Sequence, residues 1–476
     1  MASRLLLSRT PWHGSTKIHA AIRPSASLLF NNASPCSGAL GSSLGTDTSM
    51  IAANNRCYYS TATKTTSLGV NSTMQSSDWN SLGRKDSSMI AANNRRNLSG
   101  MKDEYGEMTS DGDTYVHPTP LTLENGQVLP EAQLRYQTYG ELNEARDNVV
   151  VICHALTGNA SLEAWWGDLL GPGKAFDTDR YLVVCSNILG SCYGSTCPTS
   201  INPSTGKPYL QDFPDVSVQD TVRLQLYMLV NALKVQSIKS VIGGSFGGMQ
   251  AMEFAVQGGS SPSSPIASDC FFAANEKPLV RTVIPIACGA AHTAWQIAIS
   301  ETQRQAIYAD PNWESNPLQA NGGLSVARQI GMVSYRTAKG YSQKFGRNMQ
   351  DGQSTAQYGS SAGWKVKSYL EYQGEKFLSR FDPITYVKMT EQMDSHDVAR
   401  GRGDSLKDVL DHVEIPALVL GIDSDVLYPL QEQQELVDYL PNSELKIVHS
   451  DDGHDGFLLE QEQVANHISN FLKQHD

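Results

Sequence analysis

The stretch "VIGGSFGGMQ" (residues 241–250) places one serine among four glycines, directly after an apolar run. Gly243, Ser245 and Gly247 match the pattern G-x-S-x-G. In that pattern the serine occupies a strained turn between a strand and a helix, and the glycines let the two elements pack closely beside it. The positive end of the helix dipole then lies near the serine hydroxyl. The same residues are also compatible with a purely structural glycine-rich turn. The surrounding sequence distinguishes this turn from one that holds a nucleophilic serine.

Short apolar runs rich in β-branched residues alternate with helical patterns on both sides of this turn. Such runs are typical of buried parallel strands. They occupy residues 148–153, 181–186, 237–244, 280–287, 415–421 and 444–450. Helical spacing of apolar residues marks the stretches 220–235, 249–256 and 457–472. The alternation predicts an α/β domain over residues 114–475 with a mostly parallel central sheet.

One region breaks this alternation. Residues 290–410 contain three stretches with helical patterns, 291–309, 323–341 and 382–398, and no clear strand between them. We interpret the region as a helical lid inserted into the α/β domain. The stretch "GGSSPSSP" (258–265) is predicted to be a surface loop.

An acid and a histidine follow Ser245 at the ends of the last two predicted strands. The stretch "LVLGIDSDVLYP" supplies Asp425, with Asp423 as the rival acid, and "IVHSDDGHDGFL" supplies His454, with His449 as the rival base. The order serine, acid, histidine is that of α/β-hydrolase folds. In such a triad His454 takes the Ser245 proton, and Asp425 orients the imidazole and stabilises its charged form. Asp423 suits a capping role instead, and His449 lies within the strand run.

An oxyanion hole beside this serine needs two backbone N–H groups. We expect one from Phe246, directly after the nucleophile. The other is expected from Leu156, in the loop that follows an earlier strand in "VVVICHALTGNAS" (149–161). His154 in the same loop is interpreted as a structural histidine rather than a catalytic one.

The first hundred residues differ in composition from the rest of the chain. The 476 residues have a net charge of −12, yet residues 1–100 carry ten Lys or Arg and three acids. Four basic residues precede the first acid, Asp47, in a Ser- and Ala-rich context that is typical of a mitochondrial presequence. The stretch 43–56 then recurs as 81–95 with one extra residue. We expect a presequence followed by a disordered, duplicated linker, and a mitochondrial protein, with a cytoplasmic location as the alternative.

Composition also argues against several functional classes. The residues after 100 carry 27 basic and 46 acidic side chains, a balance that argues against nucleic acid as a partner. No uninterrupted apolar run reaches the roughly 18 residues that a membrane-spanning helix needs. The eight cysteines show no paired CxxC spacing, so the sequence indicates neither a disulfide framework nor a metal site.

Eight motifs follow one another over residues 115–475. They are "CHALTGNAS", "WWGDLLGPGKAFDTDRYLVVCSNILGSCYGST", "INPSTGKPY", "GGSFGGMQAMEF", "RQAIYADPNW", "GLSVARQIGMVSY", "DSDVLYP" and "GHDGFL". Together they resemble the homoserine and serine O-acyltransferases, which have the α/β-hydrolase fold. The resemblance implies an enzyme without a bound cofactor that works by a ping-pong reaction. An acyl-CoA co-substrate acylates Ser245, and the hydroxyl of an amino acid then takes the acyl group.

The same resemblance assigns residues to the acceptor pocket. Arg328 and Tyr335 match positions that line it, and Arg328 would pair with the carboxylate of the acceptor. Asp455, next to the predicted base, would bind the ammonium group. We also expect the enzyme to act as a homodimer on small-molecule substrates alone.

The identity of the acceptor depends on smaller differences. Serine and homoserine differ by one methylene, which a pocket distinguishes by only about 1–3 kcal/mol. The segment "GSTCPTSIN" (194–202) is similar to the fungal-type serine branch rather than to homoserine enzymes. The positions that carry this likeness are Cys197, Pro198, Thr199 and Ser200. We therefore expect an L-serine O-acyltransferase that makes O-acylserine for cysteine biosynthesis, with acetyl-CoA as the preferred donor.

Three alternatives stay open at this point. The first is a homoserine O-acetyltransferase of methionine biosynthesis. The second is succinyl transfer to serine, in which Arg304 would meet the succinyl carboxylate. The third is an esterase of the same fold, because a triad alone equally permits hydrolysis.

Overall fold

The computed structural model of the chain describes residues 112–260, 271, 277–350 and 363–476. The predicted presequence and linker (1–100) and residues 261–265 of the predicted loop lie outside these residues and stay predictions. Gly258 and Gly259, predicted to begin that loop, are instead the buried end of a helix.

A central sheet of 8 strands forms the framework of the described residues, and two small strand pairs lie beside it. The strands are β1 (Asp113–Val116), β2 (Leu121–Thr122), β3 (Val128–Leu129), β4 (Gln133–Tyr139), β5 (Val149–Cys153), β6 (Leu182–Ser186), β7 (Ile201–Asn202), β8 (Lys207–Pro208), β9 (Ile238–Gly244), β10 (Val283–Ile286), β11 (Ala417–Ile422) and β12 (Ser443–Val448). The central sheet has the order β1-β4-β6-β5-β9-β10-β11-β12. Strand β4 runs antiparallel to both of its neighbours, and all other neighbours pair in parallel. The predicted α/β fold with a mostly parallel sheet is confirmed.

Helices pack on this sheet and also fill the connection between β10 and β11. They are α1 (Glu163–Trp166), α2 (Val218–Tyr227), α3 (Phe246–Gly259), α4 (Ala294–Tyr308), α5 (Asn321–Ser334), α6 (Ala338–Lys344), α7 (Lys365–Phe377), α8 (Pro383–Asp394), α9 (Leu406–Leu410), α10 (Leu430–Tyr439), α11 (Gly456–Leu459) and α12 (Gln461–Gln474). The helix predicted over 220–235 begins at Val218, behind a capping box of Ser217 and Asp220, and continues as a π-helical turn over Met228–Ala232.

The apolar runs are continuous because the central strands are buried on both faces. In β5, Val149 and Val151 join one hydrophobic cluster, whereas Val150 and Ile152 join another on the opposite face. Since successive side chains of a strand point to opposite faces, each position of β5 has to be apolar. The same burial explains why the inner parallel strands were recognisable from sequence as short runs.

The helices α4 to α8, which we call the inserted helices, all lie between β10 and β11. Among them α4 packs against α5, and α5 packs against α7. A third hydrophobic cluster joins these helices to residues that follow β5 and β9. It contains Leu324 and Phe377 of the inserted helices together with Leu156 and Phe246. The inserted helices therefore cover the sheet edge from which Ser245 emerges. A role as a mobile lid stays a prediction.

A buried ion pair fixes the far end of the inserted segment. Arg402, which lies between α8 and α9, donates to both carboxylate oxygens of Glu253 on α3, and its Nη1 lies 3.0 Å from Oε2. Both side chains are buried. Removing one partner from such a pair leaves a buried charge uncompensated and costs about 3–5 kcal/mol. The pair therefore holds the chain after α8 against the helix that begins directly after Ser245.

Candidate active site

Ser245 occupies a strained turn between β9 and α3. Its backbone has φ 58° and ψ −124°, a conformation that residues other than glycine rarely adopt. The turn is held by the Ser245 N–H, which donates to the carbonyl of Ile286 at 2.9 Å. A backbone in such a region costs on the order of 1–3 kcal/mol and persists where its surroundings enforce it. The turn therefore has the geometry that the G-x-S-x-G pattern predicts.

The glycines beside Ser245 are required by close packing. A Cβ added to Gly247 would lie 2.1 Å from the carbonyl oxygen of Cys153 at the end of β5. A Cβ added to Gly244 would lie 2.5 Å from the ring of Phe457. Any side chain at either position would push α3 or the Phe457 ring away from the turn.

Asp425 and His454 form a buried hydrogen-bonded pair at the same edge of the sheet. His454 Nδ1 lies 2.7 Å from Asp425 Oδ2, and both side chains are buried. The other carboxylate oxygen, Oδ1, accepts the backbone N–H groups of Leu427 at 2.8 Å and Tyr428 at 2.9 Å. The carboxylate is thereby fixed in the orientation in which it receives the imidazole N–H.

The environment of His454 favours its charged form. Burial alone lowers the pKa of His454, but the charge and hydrogen bond of Asp425, with a further contribution from the charge of Asp455, outweigh burial and raise the pKa above its ordinary value. The second ring nitrogen, Nε2, is buried and makes no hydrogen bond to the residues that the structure describes. In a triad, this nitrogen, which is not bonded to the acid, takes the proton of the serine hydroxyl.

Packing brings this pair to Ser245. The ring of Phe457 lies edge-on to His454, with 5.6 Å between ring centroids, and the same ring closes against Gly244. Ser245, Asp425 and His454 follow β9, β11 and β12, and the carboxyl ends of parallel strands meet at one edge of a sheet. The structure therefore collects the three residues of the predicted triad at one edge.

The rival acid and base pair with each other instead. His449 Nδ1 lies 2.8 Å from Asp423 Oδ2, and the His449 side chain is 76% exposed. Asp423 also accepts the backbone N–H of Ser450 at 3.0 Å. This second pair is a surface feature beside β12, removed from the buried carboxylate of Asp425.

The two segments with the expected oxyanion donors are held together by one side chain. Gln250 of α3 is buried, and its Nε2 donates to the carbonyl oxygens of His154 and Phe246, both at 3.2 Å. Phe246 is the first residue of α3, where backbone N–H groups have no acceptor within the helix. Leu156 follows His154 in the neighbouring loop and shares a hydrophobic cluster with Phe246.

His154 has a structural role in this loop. Burial lowers the pKa of His154 to about 4, so the ring is neutral at physiological pH. Its Nδ1 lies 2.8 Å from the carbonyl of Ala155, and its Nε2 accepts the backbone N–H of Ile188 at 3.1 Å. The histidine therefore fixes the loop that presents Leu156.

Arg328 lies on α5, and Tyr335 directly follows the last residue of that helix. The Tyr335 ring lies 6.0 Å from the His454 ring, and its hydroxyl folds back over Gly331, 3.2 Å from where a Cβ would be. Arg328, one turn before Gly331, is only 1% exposed, and its guanidinium lies 5.1 Å from the Phe377 ring centroid. Arg328 is thus a buried cation about two helical turns before Tyr335, the residue whose ring contacts His454.

Asp455 belongs to a small charge cluster. Its Oδ2 lies 2.7 Å from Arg336 Nε, and Arg336 Nη1 also donates to Asp452 at 2.8 Å. Two carboxylates therefore share one guanidinium, which leaves the cluster with an excess of negative charge. Arg336 was not predicted from the sequence, although it directly follows Tyr335.

The residues predicted to select the acceptor and the donor, Cys197–Ser200 and Arg304, make hydrogen bonds and ion pairs within the protein. The backbone N–H of Cys197 donates to Ser200 Oγ at 3.0 Å, Cys197 Sγ lies 3.2 Å from Thr199 Oγ1, and the Pro198 carbonyl accepts from Leu210. These contacts close a compact turn. Arg304 of α4 is also engaged, because its Nη2 donates to Asp394 at 2.6 Å and its Nε to Glu301 at 2.9 Å.

The described residues contain no cluster of His, Cys, Asp or Glu side chains that would hold a metal ion. Within the same residues, no helix combines the length and the apolar composition needed to cross a membrane.

Comparisons with known proteins identify the fold and the family of the chain. A family model for the alpha/beta hydrolase fold matches residues 148–461. The homoserine O-acetyltransferase of Chloroherpeton thalassium is 45% identical over 362 residues, which are 75% of this chain and 88% of that protein. The homoserine O-acetyltransferase of Trichormus variabilis is 45% identical over 376 residues, which are 77% of this chain and 96% of that protein.

A solved structure shows the same fold. The crystal structure of homoserine O-acetyltransferase from Bacillus anthracis matches with a TM-score of 0.67 at 24% identity, over 76% of this chain and 96% of that chain.

These comparisons correct one prediction and confirm another. The expected L-serine O-acyltransferase of cysteine biosynthesis is wrong, because the relatives that match over most of their length are homoserine O-acetyltransferases. That prediction depended on the likeness of Cys197–Ser200 to the serine branch, and a role of these four residues in specificity stays a prediction. The prediction of an acyltransferase enzyme is confirmed. The chain therefore belongs to the homoserine O-acetyltransferase family, whose members share the α/β-hydrolase fold.

Proposed function

We propose that this protein transfers the acetyl group of acetyl-CoA to the side-chain hydroxyl of L-homoserine. The observation that carries the proposal is the buried hydrogen bond of 2.7 Å between His454 and Asp425, at the sheet edge where Ser245 occupies its strained turn. The names of the relatives support both the acetyl group and the homoserine acceptor.

In the first half-reaction Ser245 becomes the acetyl carrier. His454 Nε2 takes the hydroxyl proton as Ser245 Oγ attacks the thioester carbonyl. The carbonyl oxygen becomes an oxyanion, which the backbone N–H groups of Phe246 and Leu156 stabilise. The intermediate then collapses, the C–S bond breaks, and His454 returns the proton to the departing CoA thiolate. Asp425 stabilises the imidazolium in both steps.

In the second half-reaction the acceptor regenerates the serine. The homoserine hydroxyl gives its proton to His454 and attacks the acetyl carbonyl, and the new ester forms as Ser245 Oγ leaves with the proton from His454. The protein binds homoserine through its carboxylate and its ammonium group. Arg328 pairs with the carboxylate, and the acidic excess of the cluster of Asp452, Asp455 and Arg336 attracts the ammonium.

Four donor and acceptor combinations test the proposal. Release of CoA is measured with acetyl-CoA or succinyl-CoA, each with homoserine or serine. We expect the fastest release with acetyl-CoA and homoserine, and at least about a 10³-fold loss in Ser245→Ala, because the nucleophile is absent. Ser204→Ala, in an exposed turn, is the control and should retain full activity. Most of the turnover surviving in Ser245→Ala would contradict the mechanism, and hydrolysis without transfer would indicate an esterase.

The pH dependence tests the assignment of the acid. Because the neutral form of His454 is the base and its pKa is raised, kcat/KM should increase with pH through an apparent pKa above the ordinary value of about 6.5. In Asp425→Asn the stabilisation of the imidazolium is lost while burial remains. The acidic limb of the pH profile of kcat/KM should then move to lower pH, and kcat should fall roughly 10³- to 10⁴-fold.

The control for this experiment is the rival acid. Asp423→Asn removes the surface partner of His449. It should leave both the acidic limb of the pH profile of kcat/KM and the value of kcat unchanged. The opposite result, a shift in Asp423→Asn and none in Asp425→Asn, would reverse the assignment.

Arg328 is tested by a conservative change. Lysine cannot reproduce the bidentate contact of a guanidinium with a carboxylate, so Arg328→Lys should raise the KM for homoserine about 10- to 100-fold and leave the KM for acetyl-CoA nearly unchanged. Arg400→Lys, at an ion pair with Glu124 away from the site, should alter neither constant. An unchanged KM for homoserine in Arg328→Lys would remove Arg328 from the acceptor pocket.

We also propose that residues 1–100 direct the protein to mitochondria. The support is the basic, acid-poor composition of this segment. A fluorescent reporter fused to residues 1–60 should accumulate in mitochondria, and a diffuse cytosolic signal would contradict the proposal. The homodimer expected from the sequence likewise stays a prediction.

A further inference from the structure

Tyr428 touches both partners of the buried pair of Asp425 and His454. Its ring stacks on the His454 imidazole, with 5.0 Å between centroids and 29° between planes. Its backbone N–H donates to Asp425 Oδ1 at 2.9 Å. Tyr428 lies in the loop after β11, and its side chain is buried among the inserted helices and the sheet edge. The position of this one ring therefore affects where the imidazole of His454 can lie.

A second histidine holds the far end of the same ring. The Tyr428 hydroxyl lies 3.1 Å from His292 Nε2, and His292 Nδ1 lies 3.0 Å from Asp394 Oδ1. Burial raises the pKa of Tyr428 well above its ordinary value, so the hydroxyl stays protonated. With Nδ1–H donating to the Asp394 carboxylate, Nε2 accepts the hydroxyl proton of Tyr428. Asp394 thus selects the tautomer that keeps Tyr428 in place.

The chain of contacts ends on two of the inserted helices. Asp394 is the last residue of α8, and its Oδ2 accepts from Arg304 Nη2 of α4 at 2.6 Å. Arg304 is in turn held by Glu301 on the same helix. The arrangement of α4 and α8 is therefore connected, through His292 and Tyr428, to the imidazole of His454.

We propose that Tyr428 and His292 are positioning residues for the base His454. The Tyr428 ring keeps the imidazole in the orientation that serves Ser245 and stabilises it when it is charged, and His292, fixed by Asp394, keeps the Tyr428 ring in place. The inference rests on the proposed role of His454 in acylation and adds two residues that act through His454 rather than on the substrate.

The physical basis is the demand that the reaction places on His454. The imidazole becomes positively charged in each half-reaction, and a cation over the face of a tyrosine ring is favoured. A stacked ring also blocks rotation of the imidazole away from its hydrogen bond. The groups facing His454 from the packed elements are Asp425, Asp455, Tyr335, Tyr428 and Phe457. Those facing His292 are Asp394, Tyr428 and the neutral His396.

The test measures acylation of Ser245 without an amino-acid acceptor. p-Nitrophenyl acetate is used in single turnovers, and the release of p-nitrophenolate reports acylation over a range of pH. Tyr428→Phe removes the hydroxyl and keeps the ring, whereas His292→Asn removes the partner of that hydroxyl. Each should slow acylation about 3- to 30-fold, and the double variant should be no slower than the slower single variant, because both changes break the same contact.

A third variant separates a positioning role from a merely structural one. Tyr428→Leu removes the ring and should lower the apparent pKa of acylation by about 0.4 to 1.5, because the charged imidazole loses its aromatic partner. His449→Asn is the matched control, since His449 is also a histidine bonded to an aspartate, at 2.8 Å, but at the surface. It should react like the unsubstituted enzyme at every pH.

The outcomes distinguish the inference from the function on which it rests. Additive effects of Tyr428→Phe and His292→Asn, or an unchanged apparent pKa in Tyr428→Leu, would overturn the inference alone. Absence of acylation in the unsubstituted enzyme would overturn the proposed function as well. Tyr428→Phe preserves the ring and nearly the full volume of the side chain, so its acylation rate tests the contact with His292 even if Tyr428→Leu unfolds.

Discussion

The geometry of the site depends on the close approach of α3 to the ends of β5 and β9. Ser245 adopts a backbone conformation with φ 58°, and Gly247 leaves no room for a Cβ against the Cys153 carbonyl. This approach places the N-terminus of α3 beside the loop that follows β5, and Gln250 fastens the two segments together. The strain at Ser245 is therefore maintained by packing on several sides, which is the condition under which a strained turn persists.

The site contains residues from both the edge of the sheet and the inserted helices. The sheet supplies Ser245, Asp425 and His454, whereas α5 supplies the buried cation Arg328 and the ring of Tyr335. A triad alone serves hydrolysis and transfer equally well. In the proposed transfer to an amino acid, Arg328 would bind the carboxylate, and the acidic cluster around Arg336 would attract the ammonium group.

Much of this could be predicted from the sequence, and the reasons are local. The inner parallel strands were visible because burial on both faces makes them mostly apolar, and the triad was visible because its members follow strands in a fixed order. The strands β1 and β4 were missed because β4 is half-exposed and β1 is short. Pairs such as Arg336 with Asp455, or His292 with Tyr428, join residues far apart in the chain and have no local pattern. The acceptor was predicted wrongly because one methylene leaves little trace in a sequence.

In the proposed reaction Ser245 carries an acetyl group that homoserine then removes. Intact-protein mass spectrometry with peptide mapping measures this directly, after brief exposure to acetyl-CoA without an acceptor. We expect one added acetyl group, on Ser245, that disappears quickly when L-homoserine is supplied and slowly in buffer alone. An unmodified protein, a label on another residue, or an acetyl group lost equally fast with and without homoserine would contradict it.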